Sequence, residues 1–225
     1  MRIHAVCSKA ALCGLVILAL TPLTPPARAG VLYTNFGPSL SYNIFSGNPV
    51  GNAFDGSFYA EGSSFAPSVT SPFDAVLVAL SCATNCPARD SVTIALNSDN
   101  SDQPGAALET FLVPGGSLGI IGNNNAPLVF NSVLRPQLIF GTRYWITVSS
   151  DLNDSVSWNL NTTGNVSDQA ISTDGGTIWF SPSGITPGAF EVDGTVPEPG
   201  TATGIVVGAL LISLLRRRTA TSRPS

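Results

Sequence analysis

Apolar residues alternate with small polar ones in two stretches of this chain, and that period of two decides which secondary structure it can form. In residues 91–97, Val92, Ile94 and Leu96 fall on one side and Ser91, Thr93, Ala95 and Asn97 on the other. Residues 155–161 repeat the pattern, with Val156, Trp158 and Leu160 set against Ser155, Ser157, Asn159 and Asn161. Successive side chains of a strand point to opposite faces, so each stretch reads as a β-strand with one buried and one wet face. Further strand-like runs lie at residues 57–65, 73–81, 107–113, 127–134, 144–150, 177–180 and 189–196. Between them stand turn formers such as Asn97-Ser98-Asp99-Asn100, Gln103-Pro104-Gly105, Gly122-Asn123-Asn124-Asn125 and Asp174-Gly175-Gly176. No long helical stripe and no blade-length repeat interrupts this rhythm. The spacing predicts an all-β domain over residues 30–195, an antiparallel β-sandwich of jelly-roll type with one core.

Both ends of the chain differ from this middle. At the N-terminus, Arg2 and Lys9 flank the start of an apolar stretch over residues 10–20, and Ala27-Arg28-Ala29 has the small-x-small pattern of a signal-peptidase site. Residues 1–29 are therefore expected to be a signal peptide, with the mature chain starting at Gly30. At the other end Val196-Pro197-Glu198-Pro199-Gly200 precedes an apolar run over residues 201–215 and then Arg216-Arg217-Arg218. Two prolines remove backbone donors and fix φ, so this segment continues neither strand nor helix. As a helix the run would span about 22 Å at about 1.5 Å per residue, short of the roughly 30 Å hydrocarbon core. The arginines match the cytoplasmic stop of the positive-inside rule. An ordinary tail anchor is the alternative, although it has no need of Pro-Glu-Pro.

In order, spacing and charge, residues 196–218 resemble the PEP-CTERM sorting signal of Gram-negative bacteria, leaving residues 219–225 as a cytoplasmic tail. The resemblance implies a single transmembrane sorting helix and recognition by an exosortase, a membrane-embedded transpeptidase acting near the motif. The precursor would pass through the secretion machinery and signal peptidase, stand in the inner membrane, and then reach the cell surface or exopolysaccharide matrix. A second resemblance covers most of the middle. Ser91-Val92-Thr93-Ile94-Ala95-Leu96, Ser98-Asp99-Asn100, Pro104-Gly105, Gly141-Thr142-Arg143-Tyr144-Trp145, Trp158-Asn159, Ser172-Thr173-Asp174-Gly175-Gly176 and Gly188-Ala189-Phe190-Glu191-Val192 are similar to the choice-of-anchor R domain. That family is named for standing in front of different surface anchors and implies location and fold, with no established activity.

Charge and chemistry narrow the function further. Between Gly30 and Glu198 the basic residues are Arg89, Arg135 and Arg143, against all fourteen acids of the chain, a net charge of −11. Such a surface repels nucleic acid and anionic headgroups. The single histidine, His4, and the single lysine, Lys9, fall in the signal peptide. The mature chain thus has no Ser-His-Asp or Cys-His arrangement, no histidine metal ligand and no Schiff-base lysine. The expectation is a noncatalytic surface or matrix protein without a cofactor. A carbohydrate-binding module is the alternative, and a glycosidase built on two carboxylates a distant one.

A few side chains are candidates for more specific roles. Cys82 and Cys86 read as a small disulfide loop of an exported protein; half of a zinc shell is the competing reading. Asp99, Asn100 and Asp102 supply hard oxygens suited to calcium, or else form a plain polar turn. Ser172-Thr173-Asp174-Gly175-Gly176-Thr177-Ile178-Trp179 resembles an Asp-box, with Ile178 where the pattern has Ser or Thr. In that reading Asp174 bonds turn amides, Gly175 and Gly176 take positive φ and Trp179 packs beneath. Trp145 alternates with Thr147 and Ser149, opposite Tyr144, Ile146 and Val148. It is either an outward glycan contact or covered by a loop or the second sheet.

Overall fold

The computed structural model describes residues 28–52, 56–83, 86, 91–150, 156–182 and 184–196. Ala29–Val196 form one compact unit, and the described residues form thirteen strands: β1 (Arg28–Thr34), β2 (Gly47–Asn52), β3 (Phe58–Phe65), β4 (Ser71–Val78), β5 (Leu80–Cys82), β6 (Ser91–Asp99), β7 (Pro104–Pro114), β8 (Leu128–Asn131), β9 (Gln137–Leu138), β10 (Tyr144–Ser150), β11 (Val156–Asn159), β12 (Gln169–Ser172) and β13 (Phe190–Val196). They make two antiparallel sheets packed as a sandwich. One runs β1-β13-β4-β8, with β9 also on β4; the other runs β5-β11-β2-β3-β10-β6-β7, with β12 also on β3.

The period of two explains the register. Ile146 pairs with Leu96 and Val148 with Ile94 across β10 and β6, so the apolar rows of both strands point the same way. Val76, Val78, Phe190 and Val192 answer from the first sheet and close one apolar core with them. Trp158 and Phe190 meet at its centre, with ring centroids 5.9 Å apart.

The run expected over residues 73–81 is divided between the sheets. Ala79 donates its N–H to Ala189 O at 3.1 Å while its carbonyl accepts from Asn159 N at 2.9 Å. β4 therefore stays in the first sheet and β5 joins β11 in the second. The run over residues 127–134 stops at Asn131, because Glu109 on β7 accepts the N–H groups of Val133 at 2.7 Å and Leu134 at 3.1 Å. Residues 177–180 form a turn instead of a strand. Only Phe180 bonds a neighbour as a strand would, exchanging two 2.8 Å hydrogen bonds with Ile171. Strands β1, β2 and β12 fall where no alternation marks them.

Residues 1–27 and 197–225, with the expected signal core, Pro197-Glu198-Pro199-Gly200 and Arg216 to Arg218, lie outside the described residues. Among the described residues no helix is long and apolar enough to cross a membrane.

Candidate functional site

Of the residues singled out for chemistry, Asp99, Asn100 and Asp102 lie at the turn between β6 and β7, beside Trp145 of β10. Ser101 and Asp102 take left-handed φ of 54° and 66°, and Asn100 N–H donates to Gln103 O at 2.8 Å. This tight reversal carries Asp99 under the indole of Trp145, which donates Nε1–H to Asp99 Oδ1 at 2.7 Å. Two further bonds tie the turn to the segment after β12. Gln103 Nε2 donates to Trp179 O at 3.0 Å and Ser181 Oγ to Asp102 O at 3.0 Å. Trp145 does point away from Tyr144, Ile146 and Val148, as alternation predicts, yet it is 0 % exposed. Of the two readings of Trp145, the structure shows the covered one, and a ring sealed in this way has no face open to a sugar.

The calcium reading of Asp99, Asn100 and Asp102 meets a similar obstacle. Asp99 is engaged by Trp145, and Asp102 is ion-paired with Arg143. Arg143 reaches on to Asp168 Oδ2 at 2.9 Å, so a guanidinium already stands between the two carboxylates. Among the described residues no three His, Cys, Asp or Glu side chains group so as to hold a metal ion.

Arg143 and its partners line a cleft of about 630 Å³ at the end of β3, together with Tyr33, Ser64, Phe65 and Asn165. Sequence reasoning passed over Arg143, Asp168 and Ser64. One signal was available, since Arg143 is among only three arginines of an otherwise acidic middle segment.

The Asp-box-like turn forms as its residues predict. Gly175 and Gly176 have φ of 78° and 100°, and Asp174 Oδ1 accepts from Ile178 N at 2.9 Å, Thr177 N at 3.0 Å and Ser172 Oγ at 2.7 Å. Those bonds, the Ile178 amide first, hold the Asp174 carboxyl below its ordinary value. A Cβ on Gly176 would stand 3.4 Å from Trp179 Cζ2, so the indole does lie under the turn. The substitution of Ile178 costs nothing here, because its backbone amide makes the bond. This is a structural turn, and Phe58 clasps it: Phe58 N donates to Thr173 O at 3.1 Å and Gly175 N to Phe58 O at 2.8 Å.

Cys82 and Cys86 are joined as a disulfide. Both sit in the core cluster, and the backbone of Cys82 is held by Gly119 and Ile121 at 2.8 and 2.9 Å. The zinc alternative lapses with the thiols consumed.

Two polar clusters were not anticipated. Glu61 on β3 is 2 % exposed and faces the core, since it pairs with Val148. Gln169 Nε2 donates to it at 2.7 Å. Burial pushes its carboxyl up to about 8, against the smaller opposite effect of that hydrogen bond. Its sealed position gives a substrate no approach. The second cluster locks the end of β13, just before the Pro-Glu-Pro motif. Thr195 Oγ1 donates to Asp74 Oδ2 at 2.6 Å, Arg135 Nη2 donates to Thr195 Oγ1 at 2.8 Å and is ion-paired with Asp74, and Ser71 Oγ donates to Thr195 O at 3.0 Å. Val196 then lies against Gly30, whose added Cβ would stand 2.6 Å from Val196 Cγ2.

No known family model matches the chain, and no curated protein matches it either.

Proposed function

We propose that this chain is an exported, noncatalytic surface or matrix protein of a Gram-negative bacterium, sorted and cut by an exosortase at Val196-Pro197-Glu198-Pro199-Gly200. The resemblance to PEP-CTERM proteins carries the sorting step, and the resemblance to choice-of-anchor R domains, with a jelly-roll-like sandwich, carries the class of cargo. One observation supports both. Gly30 and Val196, the residues next to the two expected cuts, are side by side on neighbouring strands at one end of one sheet. A precursor held by a signal peptide and a sorting helix would then have both tethers leaving the same spot, facing the same membrane. The Thr195 clamp lies two residues before Pro197, on the last strand of the domain.

The lack of mature histidine and lysine, with Glu61 sealed in the core, supports a noncatalytic role. Replacing both Pro197 and Pro199 with Ala should leave the full-length precursor in the membrane fraction with its fold intact. Release of that variant at the unmodified rate would overturn the sorting assignment.

A further inference from the structure

We infer that the uncharged turn over residues 139–142, at the end of the domain where Val196 leaves it, docks on a zwitterionic lipid surface. The inference rests on the membrane tethering proposed above and deepens it by naming the face that meets the bilayer.

Strand direction places this turn beside the exit of the chain. β13 and β9 are both antiparallel to β4, with Gly194 opposite Phe73 and Leu138 opposite Ser71, so both run out at the Ser71 end of the sheet. Ser71 Oγ also donates to Thr195 O at 3.0 Å. Leu138 and Thr195 therefore flank one strand, about 10 Å apart at the usual strand spacing. Four residues stand between Val196 and the apolar run that starts at Thr201, and they reach at most about 14 Å fully extended. A bilayer entered by that run is within reach of the turn.

The turn is held firmly, yet its apolar side chains face water. Thr142 N donates to Ile139 O at 3.0 Å and Gly141 N to Pro67 O at 3.3 Å. Phe140 N donates to Thr70 Oγ1 at 2.9 Å and Ile139 N to the Tyr144 hydroxyl at 3.2 Å. Gly141 supplies the positive φ of 71° that the reversal needs. With the backbone satisfied in this way, Ile139 is still 53 % and Phe140 66 % exposed, and Val31, next to Gly30 on β1, is 50 % exposed. Adjacent large apolar side chains fixed in water gain from burial, and such groups enter the headgroup and acyl boundary to a depth of about 5–10 Å.

Charge selects the same end. Residues 66–72 and 136–142, which build it, contain no charged side chain, in a segment whose net charge is −11. The charges flanking the turn are Arg135, ion-paired with Asp74, and Arg143, ion-paired with Asp102 and Asp168. Both arginines are already engaged, and the acids elsewhere repel anionic headgroups, so the lipid is zwitterionic.

The test reconstitutes full-length chain carrying Phe140→Trp, and separately Phe45→Trp, into phosphatidylcholine vesicles with and without bromine near the headgroup end of the acyl chains. Tryptophan emission is compared with that of the unmodified chain. Phe45 is the matched control: it is 77 % exposed and lies at the opposite end, where Ser46 O accepts from Leu160 N and Leu160 bridges to Gly188, ahead of β13. The emission added at position 140 is expected to fall by at least about half in brominated vesicles, since the ring would lie about 5–10 Å deep, while that added at position 45 stays unchanged. Equal quenching at the two positions, or none at position 140, overturns the docking. Flotation of the same samples reads the tether separately. A chain that floats with the vesicles without quenching at position 140 overturns the docking and leaves the tether standing, whereas a chain that does not float removes both.

Discussion

Gly188 lies flat against the indole of Trp158: a Cβ added there would stand well under 3.0 Å from three atoms of the ring. The same ring donates Nε1–H to Ala189 O at 3.1 Å and packs on Phe190, so it has nowhere to retreat. Gly188→Ala should therefore destabilise the domain by about 2–3 kcal/mol through overpacking. Chemical denaturation followed by tryptophan fluorescence checks this, with an unchanged midpoint contradicting it.

Glu61 makes stability depend on pH in an unusual direction for a carboxylate. Its folded value is about 8, whereas an unfolded glutamate titrates near 4.3. Between those limits the folded chain binds more protons than the unfolded one, so this group's contribution is fully present below about pH 4 and is lost as pH rises through 8. Asp193, raised to about 6 by burial and by Glu191 and Asp74 nearby, acts in the same direction. Glu61→Gln should flatten the profile and gain about 2–4 kcal/mol on the unmodified chain between pH 5 and pH 9. Parallel pH profiles for the two proteins would refute the assignment.

Trp145 is a core residue despite its position on the outer row of β10. Trp145→Ala should cost about 3–5 kcal/mol and free Asp99 from its 2.7 Å bond. A thermal melt of the variant within a degree or two of the unmodified chain would show the ring to be dispensable.

Reduction of Cys82–Cys86 should have a limited effect. A loop this short restricts the unfolded chain by about 2 kcal/mol, while β5 stays held by Gly119 and Ile121. Melting with and without reductant tests it: a cooperative transition survives at a lower temperature, whereas outright unfolding on reduction would give the disulfide a far larger role.

How far these features were visible in the sequence depends on whether local pattern or distant contact decides them. β6, β10 and β11 were legible because apolar and small polar residues alternate along them, although the wet second face expected of them is covered: β11 is buried at all four positions and β10 at all but Ser149. β2 was hidden, since Gly47, Pro49 and Gly51 read as turn, yet its pairing with β11 outweighs that local preference. The Asp174 turn was legible because its bonds are local. The cover over Trp145 was not, because it comes from residues some 40 positions away, Asp99 and the turn behind it. The cleft joins β1, β3, the β6–β7 turn, Arg143 and the loop before β12. No stretch of chain contains it, and of its lining only Asp99 and Asp102 were singled out in advance, for calcium.

The central claim concerns where this domain is delivered, and intact-mass spectrometry of the protein recovered from the producing cells tests it most directly. The account predicts a chain beginning at Gly30 and ending within a few residues of Pro197, beyond the Thr195 clamp. A chain running intact to Ser225 would contradict it.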